Sequence, residues 1–264
     1  MSEELNEIKE TGEENNQSFI SQKRKKRKEK GKQYKNGKRF NSGEDMSETT
    51  TFVQSINTKV VKKPNYFLSI RVDYKVIQEN LAEFTNHVHT KFPEYKKLLI
   101  KPKQCHITLF VLHLDQDNIE QAKECLSTSR DILDQNCPKG GLSLHLKGIG
   151  IFGNRVVHTF PECSPDLDSF TKLTYSLHDK FKKNGLVDND IHKEFKPHVT
   201  LMKLRNPIKI NQGKKIIKHI PKEIYENFRE CDFGKHFINS IELSSMHMPK
   251  DDDGYYAKIE AMKF

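Results

Sequence analysis

Short apolar runs recur at regular intervals from Pro64 to the last residue, whereas residues 1–62 hold few large apolar side chains. This boundary constrains the fold more than any other feature. Only a segment with recurrent apolar runs buries enough surface to offset the entropy of ordering its backbone. Residues 1–62 are therefore expected to be a disordered charged tail, and residues 63–264 to form the folded domain, a length that suits one sizeable core.

Within the folded part the hydrophobic period switches back and forth. Residues 65–72 (NYFLSIRV) are apolar and aromatic over a strand's length. Over 75–91, Ile77, Leu81, Phe84 and Val88 recur at spacings of four, three and four, which predicts an amphipathic helix. Residues 105–114 (CHITLFVLHL) are apolar on both faces, hence a central strand. Asp117 is expected to cap a helix carrying Ile119, Ala122 and Leu126, ended by the Pro/Gly cluster at 138–141. Strands at 142–152 and 155–160 flank a Gly153-Asn154 hairpin turn. Ser164-Pro165 opens a helix with Leu167, Phe170, Leu173, Leu177 and Phe181, and Asn184-Gly185 closes it. Residues 197–204 read as another strand and 205–220 as a basic loop. Pro221 starts a short helix ending near Phe228, and two last strands enclose the turn KDDDG.

Charge and cysteine usage exclude several classes. Residues 23–39 carry eleven Lys/Arg and one Glu, while residues 1–14 carry six Glu and one Lys. Such blocks behave as solvated tails or interaction segments, and the basic one has the form of a nuclear import signal read by an import receptor. The five cysteines are odd in number, widely spaced and without a C-x-x-C pair, which argues against a disulfide framework and a thiolate zinc site. The acidic N-terminus has no apolar signal region, and no window of about 18 apolar residues exists to span a membrane. Nucleus and cytosol are the expected locations, with no membrane partner. Gly148, Gly150 and Gly153 fit G-x-G-x-x-G, but a strand follows where a phosphate-binding loop needs a helix. His87 and His89 lie two apart on a helix, do not share a face, and are expected at the surface.

One pattern remains. His106-Ile107-Thr108 and His198-Val199-Thr200 each stand at the N-terminal edge of an apolar strand. Alternate residues of a strand face one side, so each His points with its Thr while Ile107 and Val199 turn into the core. Two such strands facing one cleft converge four polar groups. Two imidazoles suit a phosphodiester: one, neutral, accepts a proton from the attacking hydroxyl, and the other, protonated, gives one to the leaving oxygen. Two hydroxyls donate hydrogen bonds to the non-bridging oxygens as these gain charge. This chemistry needs neither a metal nor another cofactor.

The paired motifs resemble those of the two-histidine (2H) phosphoesterase superfamily. With PNYFLSIRV, CHITLFVLHL, KGIGIFGNRV, FKPHVTLMKL and GYY in that order, residues 63–264 resemble A-kinase anchor protein 7-like phosphoesterase domains, a 2',5' RNA ligase-like class. The resemblance implies an α+β, bilobal fold with two antiparallel sheets flanked by helices around a central groove. It implies His106 and His198 as the acid/base pair, Thr108 and Thr200 as phosphate ligands, and Phe195 and Pro197 as groove-shaping neighbours. The implied function is metal-independent phosphodiesterase cleavage of 2',5'-linked oligoadenylate or a related short RNA. The alternative is a non-catalytic AMP/CMP-binding module or scaffold linked to cAMP-dependent kinase anchoring. The family's kinase-binding helix would follow the last strand, but the chain stops at Phe264, so a kinase regulatory subunit is not an expected partner. Ser2 stands where the lipidation signal of some anchor proteins needs Gly.

Overall fold

The computed structural model describes residues 62–187, 195–210 and 215–264. The charged tail and its basic run lie outside the described residues. The aromatic run near residue 65 becomes strand β1 (Tyr66–Arg71) and the four-three-four pattern becomes helix α1 (Lys75–Lys91). Then come β2 (His106–Leu112), α2 (Gln116–Ser127), α3 (Arg130–Asn136), β3 (Ser143–Phe152), β4 (Val156–Pro161) and α4 (Pro165–Lys183). The chain closes with β5 (Val199–Lys203), β6 (Ile208–Ile210), β7 (Lys215–Ile217), β8 (Asp232–Phe237), β9 (Ser240–Ser245) and β10 (Lys258–Lys263).

Eight strands form one antiparallel sheet in the order β10-β9-β1-β2-β5-β4-β3-β8, and β6 pairs with β7 in a separate hairpin. The sheet is two four-stranded halves. They meet where β2 joins β5, through the single register pair Ile107 opposite Val199. The two antiparallel sheets expected from the sequence are thus joined edge to edge, and both His-x-Thr strands lie at the seam. Among the described residues no helix is long and apolar enough to cross a membrane.

The helices follow their sequence signals to different degrees. Ser164 caps α4 by accepting a hydrogen bond from the Leu167 N–H at 3.2 Å, and Pro165 occupies the first turn. Asp166 and Asp168 sit at the positive end of its dipole, Lys180, Lys182 and Lys183 at the negative end. Asp166 also accepts from the Ser143 N–H and hydroxyl, at 3.0 and 2.8 Å, which pins the helix to β3. Phe170, Leu173, Leu177 and Phe181 are fully buried, so the apolar face of α4 is core. At α2 the capping position is Asp115, not Asp117, which stands in the first turn. The Asp115 carboxylate is held by Lys62 at 2.6 Å and His113 at 3.2 Å rather than by the helix backbone. The expected single helix is two, because Thr128 and Ser129 donate hydroxyl hydrogen bonds back to the Glu124 and Cys125 carbonyls, at 2.7 and 2.6 Å, where the helix breaks.

Other differences have equally local causes. The hairpin turn falls at Gly153 and Asn154 as expected, both with positive φ (53° and 56°). The basic loop at 205–220 contains the β6–β7 pair, and β8 is an edge strand that runs through Gly234 at φ 108°. Of the expected surface pair, His89 is exposed, but His87 is half-buried between the rings of Phe92 and Phe228.

Candidate active site

In an antiparallel pair, fixing Ile107 opposite Val199 fixes its neighbours: His106 falls opposite Thr200, and Thr108 opposite His198. The motifs therefore interlock diagonally, each histidine across the seam from the other strand's threonine. Ile107 and Val199 are fully buried, and the four polar residues between them are half-buried on the opposite face. The structure thus brings the histidines and threonines of the two motifs onto one face of the seam.

The two imidazoles are held alike. His106 Nδ1 lies 2.8 Å from the Gln104 carbonyl oxygen, and His198 Nδ1 lies 2.8 Å from the Lys196 carbonyl oxygen. A carbonyl only accepts, so Nδ1 carries the proton in both rings and donates it. Each neutral ring then offers the Nε2 lone pair for chemistry. Burial pushes His106 down to about 4, helped by the charges of His198, Lys250 and Lys203, with the Gln104 carbonyl opposing. Burial also lowers His198, helped by Lys203 and opposed by the Lys196 carbonyl. Both rings are held toward neutrality by burial.

Their surroundings differ. His106 packs against Phe67 (ring centroids 4.9 Å apart) and the edge of Tyr256 (5.5 Å). The Lys250 ammonium sits 3.7 Å from the centre of the Tyr256 ring. His198 packs against Phe152 (5.0 Å) and against a third histidine, His158, at 5.2 Å.

His158 was not singled out from the sequence. On β4 it lies opposite Thr200, and its ring stacks on Phe152 at 4.0 Å. It is buried, and neither ring nitrogen meets a hydrogen-bond partner. Burial and then the charge of His198 push it down to about 4. Its space exists because residue 150 has no side chain: a Cβ on Gly150 would stand 2.5 Å from His158 Cε1. A glycine inside a strand marks such close approaches and is the signal that could have found this contact. Gly150→Ala is expected to displace the ring, destabilising the fold by about 1–3 kcal/mol. Urea unfolding with one-dimensional NMR of the histidine protons would show the displacement, and unchanged His158 signals would refute it.

Phe195 does not face the other four residues. Its N–H donates to the Tyr175 hydroxyl at 3.1 Å, and its ring lies 5.9 Å from Phe170 on α4. It anchors the segment leading into β5. Pro197, half-buried, immediately precedes His198. Among the described residues no group of three or more His, Cys, Asp or Glu side chains is placed to hold a metal ion.

The sequence matches the family model described as AKAP7 2'5' RNA ligase-like domain over residues 64–264. A similar curated protein is human A-kinase anchor protein 7 isoform gamma, 28% identical over 218 residues, covering 80% of this chain. The chain spans 62% of that relative's length. Similar solved structures include Escherichia coli LigT crystallised with 3'-AMP, at 17% identity and a TM-score of 0.50, covering 76% of this chain and 98% of LigT. A Thermus thermophilus protein matches at 17% identity and a TM-score of 0.50, over 75% of this chain and 97% of its own. These structures share the fold.

Proposed function

This chain belongs to the AKAP7 2'5' RNA ligase-like domain family, and from that premise we propose that its groove cleaves 2',5'-linked oligoadenylate or a related short RNA, with His106 and His198 as acid and base. The observation that carries this reading is the diagonal register of the two His-x-Thr motifs, with both Nδ1 protons held on carbonyls. LigT, which shares the fold, is crystallised with 3'-AMP, in keeping with a nucleotide ligand.

In a 2',5' linkage the free 3'-hydroxyl lies next to the phosphorus. One neutral histidine takes its proton at Nε2 as the 3'-oxygen attacks. The other, protonated, gives its proton to the departing 5'-oxygen. The products are a 2',3'-cyclic phosphate and a 5'-hydroxyl, and the proton count balances. Two side chains that differ in protonation are needed, and the phosphate itself supplies the charge that lets one of two neutral-leaning rings keep a proton. The Thr108 and Thr200 hydroxyls donate to the non-bridging oxygens. An oxyanion donor of this kind contributes about 10²–10³-fold, so Thr108→Val and Thr200→Val are each expected to lower kcat by up to that factor with KM little changed.

The test is turnover of 2',5'-linked triadenylate by the full chain in excess EDTA, with products separated by anion exchange. Cyclic-phosphate products support the reading. Tight nucleotide binding without turnover, on 2',5' and 3',5' oligomers alike, replaces it with the binding-module alternative. The basic run at 23–39 is proposed as an import signal independent of this chemistry.

A further inference from the structure

Beside His106 lies a cavity of about 410 Å³ lined by Lys101, Pro102, Lys103, Gln104, Lys250, Asp253 and Gly254. Gln104 joins it to the active centre. Its side-chain Nε2 donates to the Gly254 carbonyl at 3.0 Å across the cavity wall, and its own carbonyl holds His106 Nδ1. The three lysines share one lining carboxylate, Asp253, whose hydrogen bonds go elsewhere although the charge of Lys103 reaches it. Asp253 pairs with Arg71 through one oxygen and accepts the Tyr255 N–H at 2.9 Å through the other. Asp251 and Asp252 on the same turn are exposed, and neither forms an ion pair with these lysines. Burial and the charge of Lys101 both lower Lys250, as expected where cations crowd without a counter-ion.

Among the described residues none of the three lysines forms an ion pair, and three ammonium groups around a concave site next to a phosphate-handling histidine call for a further anion. Resting on the phosphodiesterase reading, we propose that this cavity is an anion subsite for a second phosphate of the same ligand, one nucleotide along the strand from the phosphate held between the histidines. Lysines act there as point charges, which tolerate a terminal monoester or an internal diester. The chain would then discriminate by phosphate count, binding a dinucleotide with one phosphate less tightly than any ligand that carries two.

The experiment uses 2',5'-linked 3'-deoxyadenosine oligomers, which lack the attacking hydroxyl and so report binding whether or not the chain is an enzyme. Calorimetry on the full chain compares the dimer, its 5'-phosphorylated form and the trimer. A second phosphate is expected to tighten binding about tenfold, a gain of about 1.4 kcal/mol, and to steepen the slope of log K against log salt by about 0.7. In Lys101→Gln/Lys103→Gln, exposed positions apart from the proposed catalytic groups, this gain should fall below about twofold while dimer affinity holds. A gain for the phosphorylated dimer alone identifies a terminal monoester, and a gain for the trimer an internal diester. Equal affinities in the wild type, a preference that survives in the double variant, or equal weakening of every ligand overturns the subsite. Turnover of the ordinary 3'-hydroxyl trimer, measured separately, tests the phosphodiesterase reading on its own.

Discussion

Alanine at His106 or at His198 is expected to slow cleavage of 2',5'-linked triadenylate by about 10²–10⁴-fold in each case. Each ring is half-buried and its Nδ1 is fixed by a hydrogen bond to a carbonyl two residues upstream, so the variants should stay folded. The double variant should lose little beyond the worse single one, because acid and base act in one transition state and their losses do not multiply. Single-turnover rates on wild type, both singles and the double test all three statements, with urea midpoints as the folding control. Full activity in either single variant would sink the two-histidine mechanism. Losses that multiply in the double would mean that the histidines act in separate steps.

Acidification from pH 7.5 to 4.5 is expected to destabilise the domain by several kcal/mol. The buried His158 contributes one well-defined share of it. Its folded value is about 4, against an ordinary 6.5. Above pH 6.5 it is neutral in both states and stability does not change with pH. Between 6.5 and 4 the unfolded chain takes up a proton that the native ring refuses, so stability falls as pH falls. Below 4 both states are protonated and the loss levels off. A gap of about 2.5 pH units corresponds to about 3 kcal/mol. His106, also near 4, acts in the same direction, as do His198 and the buried His236, while the buried Glu242, raised by desolvation, opposes them. The depressed carboxylates Asp115, Asp232 and Asp253 titrate below 3.8 and do not contribute in this window. A typical domain holds about 5–15 kcal/mol in all, so the effect is large. Urea midpoints across the pH range should fall, and His158→Leu should flatten the limb. A midpoint that stays constant from pH 7.5 to 4.5 would refute the buried, neutral assignment.

The legible parts of the molecule are those whose causes lie within a few residues. Ser164, Pro165 and the spacing of Phe170, Leu173, Leu177 and Phe181 announce α4, cap and face included. The break between α2 and α3 was missed because hydroxyl back-bonding at Thr128 and Ser129 leaves no Gly or Pro marker. Strand β8 was missed because Gly234 lies within it and only Phe233 and His236 are buried. At the site, each His-x-Thr was visible because a polar pair in an apolar strand is conspicuous. Their diagonal placement was not, because it depends on Ile107 meeting Val199 across 92 residues of sequence. His158 stayed hidden because its importance comes from neighbours on β3 and β5, not from the residues beside it.

The diagonal seam has a further consequence for the proposed reaction. Exchange the two strands and the catalytic outline is nearly unchanged: the same Nδ1 anchor, the same free Nε2, the same opposing threonine. By microscopic reversibility, the histidine that protonates the leaving oxygen in cleavage is the one that removes a proton when a hydroxyl reopens the cyclic product. A centre of this outline carries no built-in direction in time. Whether it cuts a strand or joins two ends is then decided by the relative supply of linked strand and of cyclic-phosphate and 5'-hydroxyl ends, with no part of the groove having to be rebuilt.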